Sequence, residues 1–197
     1  MKFKQNRKFI LASGSPRRRQ YLERYNLKFN ILTSSIDETA QKGEEPVLFA
    51  RRLASEKGRA VADKLEDNEI VIAADTIVVI DNKILGKPET ENAVLPMLQK
   101  LNGNSHLVIT AYFIFDSKNR QEILRDVTTK VVFNQVSNDL LAVYAASKEP
   151  LDKAGAYSIQ GIGTFLVDSI EGSYNNVVGL PIESVLQDLL DNEFISI

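Results

Sequence analysis

The residues of this chain able to do chemistry are few and unevenly placed. Residues 11–19 read LASGSPRRR, in which Ser13, Gly14 and Ser15 precede Pro16 and three arginines. Ser15 suits a helix N-cap and Pro16 the first helical position. A helix beginning there presents free N–H groups and a positive partial charge at its start. Cations are ordinarily disfavoured at that end. Arg17 and Arg18 make sense there if an anion such as a phosphate sits among them and Ser13. The plainer alternative is a strand–turn–helix with solvated arginines. The segment is not a Walker loop, which needs a second glycine followed by Gly-Lys-Ser/Thr, and its single glycine excludes a dinucleotide fingerprint.

Further along, polar residues interrupt otherwise apolar patterns, and such interruptions are where function concentrates. Asp75 and Thr76 break the apolar run from Ile70 to Ile80. A buried carboxylate needs a cation, a metal or a proton, so Asp75 reads as a metal ligand, a general base or a structural turn cap. Lys57 falls on the apolar stripe of a long helix, between Leu53 and Ala54 when about 100° is counted per residue. It either snorkels past the helix edge or meets an acidic or phosphate partner. Arg51, Arg52 and Arg59 fall on the opposite face, which should be solvated. Lys87, in LGKPET, precedes a proline that fixes an extended backbone. Glu38, in SIDET, is a second carboxylate for a metal or simply a loop residue. Gln160 lies in SIQGIG, where its amide can both donate and accept, as base recognition requires. Gly161, Gly163 and Gly179 suit tight turns or a close backbone approach to a ligand. The sole histidine, His106, just before an apolar strand, reads as structural.

These residues need a scaffold, and hydrophobic periodicity supplies its outline. Strands are predicted over 9–11, 29–32, 69–74 with 77–80, 84–85, 107–115, 122–133 and 165–170. Helices are predicted over 16–26, 46 to about 65, 90–101, 137–147 and 181–191, with Pro96 expected to kink or restart its helix. Strands and helices alternate with hairpins among them, which argues a mixed α/β sheet flanked by helices. The chain of 197 residues with 44% hydrophobic content supports a real core and argues against disorder. A net charge of −2 argues against a general nucleic-acid binder, so basic function must be local. Without cysteine there is no disulfide, thiolate nucleophile or zinc-thiolate site. No signal peptide or membrane span is expected, and the cytoplasm is the expected location.

Taken in order, LASGSPRRR, Asp37-Glu38, SEKGRAV, ADTIVV, LGKP, EPLDKAGAYSIQG and GSYNNVVGLP resemble the Maf family, the nucleoside triphosphate pyrophosphatases once described as septum-formation inhibitors. The matches run from residue 10 to 182. The resemblance implies one Maf/ITPase-like α/β domain over residues 1–197, an elongated twisted mixed sheet with two lobes around a nucleotide-binding cleft and no separable linker. It implies hydrolysis of nucleoside triphosphates to monophosphate and pyrophosphate with a divalent cation, Mg²⁺ or Mn²⁺. The family's site positions map here to Ser13, Arg17, Arg18, Glu38, Lys57, Asp75, Lys87 and Gln160, with Asp75 as proton acceptor and Glu38 and Asp75 as metal ligands. Arg18, Thr76 and Gln160 match the branch that resembles dTTP/UTP pyrophosphatases. The branch acting on 7-methyl-GTP has a tryptophan near the arginines, and this chain has none. Arg19 extends the usual arginine pair and is expected at the surface. Clearance of modified nucleotides, a link to cell-division arrest and a homodimer are further implications, by analogy. A nucleotide-binding regulator of septum formation with little catalysis, and a pyrophosphatase of the 7-methyl-GTP branch, are the rival expectations.

Overall fold

The computed structural model describes residues 3–65 and 67–197. In chain order the elements are β1 (Lys4–Gln5), β2 (Lys8–Leu11), α1 (Pro16–Arg24), β3 (Phe29–Ile31), α2 (Pro46–Ala62), β4 (Glu69–Ile80), β5 (Lys83–Leu85), α3 (Glu91–Leu101), β6 (Ser105–Asp116), β7 (Gln121–Phe133), α4 (Asn138–Ala145), β8 (Val167–Glu171), α5 (Tyr174–Val178), α6 (Ile182–Asp191) and β9 (Ile195–Ser196). Among the described residues one sheet has the order β3-β2-β4-β6-β7-β8, with β5 paired to β4. The short β1 and β9 pair separately. The main sheet is mixed, as the alternation of elements predicts: β2 runs parallel to β3 and β4, whereas β5 and β8 are antiparallel to their neighbours. The chain divides into two compact units, residues 1–75, 110–127 and 179–197 in the first and 76–109 and 128–178 in the second.

In the first unit, parallel neighbours require crossovers, and α1 and α2 supply them. Phe9, Ile10 and Leu11 of β2 are buried, and Leu11 pairs with Ile31 of β3 and Ile72 of β4. Helix α2 turns Phe49, Ala50, Leu53, Ala54, Ser55, Gly58 and Val61 inward. Gly58 sets how closely it packs, since a Cβ there would come within 2.2 Å of the Phe113 ring. The predicted helix ends were too long: α1 stops at Arg24 and α2 at Ala62, because Tyr25 and Asp63 act as C-caps.

In the second unit, β4 turns into β5 through Asp81 and Asn82, both with positive φ, as a two-residue hairpin turn requires. Helix α3 runs through Pro96 as one helix rather than restarting there. Val94, Leu98 and Leu101 keep one buried stripe across it, and that packing outweighs a local cost of about 3 kcal/mol. The strand predicted over 165–170 begins only at Val167, because Phe165 and Leu166 close a 3-10 turn, Ile162–Leu166. Strands β1 and β9 and the five-residue α5 went unread, being too short to show a period.

His106 is structural in this unit. It is buried, its Nε2 and the Tyr157 hydroxyl share a 2.8 Å hydrogen bond, and its ring meets Phe133 and Tyr157 edge to face. Burial pulls its pKa from 6.5 down to about 4. The fold therefore favours the neutral ring. That contribution is complete above pH 6.5 and is lost as pH falls toward about 4, a span of about 3 kcal/mol. Denaturant unfolding of the parent chain and a His106→Phe variant at pH 7 and pH 4.5 checks this. With no other histidine present, the variant should lack that part of the acid-induced loss.

Candidate active site

The core of the site is a buried ion pair in the first unit. Asp75 sits in β4, where every residue but Thr76 and Ile80 is buried, and is itself 7% exposed. Its partner is Lys57, whose Nζ donates to Asp75 Oδ1 at 2.6 Å. The helical count that put Lys57 on the inward seam of α2 thus resolves as an acidic partner rather than a snorkelling chain. Gly58, the next residue, lets α2 sit close enough to the sheet for the lysine to reach.

The same ammonium reaches Glu38, whose Oε1 lies 2.8 Å away. Glu38 belongs to an irregular connection, and Arg52 organises that connection. Arg52 makes a bidentate pair with Glu44 at 2.7 and 2.8 Å and donates from Nη2 to the Thr39 carbonyl at 3.1 Å. Asp37 Oδ1 accepts from the Thr39 amide at 2.9 Å, closing a local turn. The Arg52 guanidinium holds Glu44 down at about pKa 2. The solvated face expected for Arg51, Arg52 and Arg59 is therefore a paired one. Arg51 meets Asp126, Arg59 meets Glu122, and the Arg52 side chain is only 20% exposed. Sequence reasoning missed Arg52 as an organiser because its partner lies in a segment without period.

Ser13 and Arg18 complete the first unit's part. Ser13 follows the end of β2 and is buried. Its hydroxyl accepts from Arg18 Nη1 at 3.1 Å and from the Ser15 amide at 3.2 Å. Ser15 is the N-cap residue by position, yet its side chain makes no capping bond. Arg18 Nε donates to the Gly179 carbonyl at 2.8 Å, so the guanidinium is pinned from two sides. Burial lowers the Arg18 pKa, Asp75 and Glu38 raise it, and neighbouring Arg17 lowers it. Arg17 is half-buried, whereas Arg19 is exposed and pairs with Glu23 at 2.7 Å, as expected of a surface residue. Ser13 and Arg18 are thus joined by hydrogen bonds, as Glu38, Lys57 and Asp75 are by ion pairs, and Asp75 and Glu38 act electrostatically on Arg18.

The remaining residues lie in the second unit. Thr76 follows Asp75 in β4 and is half-buried. Lys87 is exposed on the connection after β5, and Gln160 is exposed in a bend. Of the three glycines read as turn or ligand-approach residues, Gly179 has φ 120°. Gly161 and Gly163 instead face side chains of their own unit, Glu149 and Tyr144.

The family profile described as Maf-like protein matches residues 8–192. The dTTP/UTP pyrophosphatase of Desulfotalea psychrophila is 45% identical over 195 residues, spanning 99% of this chain and 100% of that protein. The dTTP/UTP pyrophosphatase of Clostridioides difficile is 44% identical over 185 residues, spanning 94% of each. Among solved structures, the Ham1 protein of Staphylococcus aureus aligns with a TM-score of 0.53 over 94% of this chain and 99% of that one. At 15% identity this is a likeness of fold alone.

Proposed function

Because the chain belongs to the Maf-like protein family, we propose that it hydrolyses dTTP and UTP to the nucleoside monophosphate and pyrophosphate. The observation that carries the reading is the buried Asp75 held by Lys57 beside Glu38 and Arg18. A chain that only bound nucleotides would have no need of a carboxylate buried among cations. Asp75 is the proton acceptor. As the water oxygen bonds to the α-phosphorus, its proton passes to the Asp75 carboxylate. The bond from that phosphorus to the oxygen bridging to the β-phosphate breaks, and pyrophosphate leaves.

The other residues handle charge and orientation. Lys57 holds Asp75 in place and, with Lys87, neutralises phosphate charge. Ser13, Arg17 and Arg18 bind the phosphates, arginine being suited to bidentate contact. Thr76 and Gln160 read the pyrimidine edge. Glu38 and Asp75 suit a divalent cation: two hard oxygen donors converge on one ammonium, and among the described residues no three Asp, Glu, His or Cys side chains cluster into a cage. Mg²⁺ and Mn²⁺ accept such a partial set, taking further ligands from phosphate and water. When bound, the ion neutralises phosphate charge and makes the α-phosphorus easier to attack.

The test is pyrophosphate release from dTTP, UTP, CTP, ATP, GTP, 7-methyl-GTP and base-modified pyrimidine triphosphates, with Mg²⁺ or Mn²⁺ and with EDTA. The expected result is fastest release from dTTP and UTP and none with EDTA. Faster release from 7-methyl-GTP would move the chain to the other branch. Binding without release from any nucleotide would make it a regulator. The modified substrates address clearance of the cytoplasmic pool. The link to cell division is tested by cell length on overproduction of the parent chain against its Asp75→Asn variant.

A further inference from the structure

A second polar cluster lies wholly in the second unit and takes no part in the chemistry above. Glu149 opens a 3-10 turn, Glu149–Asp152, and is half-buried. Its Oε1 accepts from the Tyr144 hydroxyl at 2.9 Å and from the Gly163 amide at 3.0 Å, and its Oε2 accepts from the Ile162 amide at 3.0 Å. Tyr144 is buried at the end of α4, and its oxygen also accepts from the Ser158 amide at 3.1 Å. Ser158 Oγ in turn accepts from the Gln160 amide at 3.3 Å, and Thr164 Oγ1 donates to the Ile159 carbonyl at 2.5 Å. Gln160 is exposed, yet the backbone on both sides of it is tied down.

Two glycines that follow this exposed residue, Gly161 and Gly163, explain how the tie is made. A Cβ at position 161 would come within 2.0 Å of Glu149 Oε2, and one at 163 within 2.3 Å of the Tyr144 hydroxyl oxygen. Neither glycine has a positive φ. Their lack of a side chain therefore leaves room for Glu149 and Tyr144 to come close, rather than serving the turn. Three hydrogen bonds converge on the one Glu149 carboxylate, two of them from backbone amides of the segment that follows Gln160. A fixed loop presenting one exposed amide is what discrimination between bases needs, because a donor and acceptor pair rejects a wrong partner only if it cannot turn to accommodate it.

We infer that Glu149 and Tyr144 are positioning residues that hold the Gln160 loop in the geometry for pyrimidine recognition, an inference resting on the reading that Gln160 meets the base. The test is kcat and KM for dTTP and CTP in the parent chain, Gln160→Ala, Glu149→Ala, Tyr144→Phe and the Glu149→Ala/Gln160→Ala pair, with thermal unfolding of each. The expected result is a loss of dTTP preference of about tenfold in Glu149→Ala and a smaller loss in Tyr144→Phe, carried mainly by KM. Adding Glu149→Ala to Gln160→Ala should change the preference no further. Should Glu149→Ala fail to fold, Tyr144→Phe carries the same test. An unaltered preference in Glu149→Ala and Tyr144→Phe while Gln160→Ala loses it overturns the inference. So does an equal fall for both nucleotides, which marks a merely structural role. An unaltered preference in Gln160→Ala overturns the base assignment itself and the inference with it.

Discussion

Asp75→Asn is expected to lower kcat for dTTP by about a thousandfold, the middle of the range for a general base, with nucleotide binding still measurable. Asparagine has nearly the same shape, and its amide oxygen can still accept from Lys57. The fold of β4 and the placement of α2 should therefore persist. What disappears is the group proposed to take the proton, together with one of the two charges proposed to hold a cation. Single-turnover pyrophosphate release beside an equilibrium binding titration separates chemistry from affinity. Repeating the release at raised Mg²⁺ separates the two lost charges' roles, since added ion restores turnover only if the defect lay in metal affinity. Near-normal turnover in Asp75→Asn would remove Asp75 from the reaction.

Lys57→Met should abolish turnover and also destabilise the fold, by about 3 kcal/mol. Asp75 is 7% exposed and its hydrogen bond from Lys57 is 2.6 Å long, so removing the ammonium strands a charge inside β4. The lower end of the usual 3–5 kcal/mol range for breaking a buried pair applies, because Arg18 also acts on Asp75 electrostatically. Glu38, with 53% of its side chain exposed, can turn to water and adds little. Methionine keeps the apolar stem length, so the effect isolates charge. The companion variant Lys57→Met/Asp75→Leu should regain most of the lost stability, since a well-packed apolar pair can replace a buried ionic one, and regain no turnover. Urea unfolding midpoints and pyrophosphate release on the three chains decide it. An unchanged midpoint in Lys57→Met would mean that other groups already satisfy Asp75.

Much of the scaffold was legible because burial leaves a period. The inward stripe of α2 gave Lys57 its place among Leu53 and Ala54 before any partner was known. The apolar run from Ile70 to Ile80, broken only at Asp75 and Thr76, marked Asp75 as the exception. Pro16 marked the start of α1 correctly. The errors arose where packing overrode local chemistry. Pro96 did not restart α3 as a second helix, because a stripe of three buried residues spans it. Ser15 starts α1 by position but does not cap it with its side chain.

By itself the sequence determined which charges are anomalous and on which faces they lie, since a 3.6-residue or two-residue period reports burial directly. It implied that the buried Asp75 needs a cation, a metal or a proton, and left Lys57 between snorkelling and an acidic or phosphate partner. That they meet each other, and that Glu38 joins them, was decided only by the packing of α2 onto β4 and by a loop that Arg52 ties to Glu44. The roles of Glu149 and Tyr144, and the true reason for Gly161 and Gly163, were likewise invisible in one dimension. A period records that a side chain turns inward. It carries nothing about which atoms await it there, because those come from segments distant in sequence and often from loops that have no period at all.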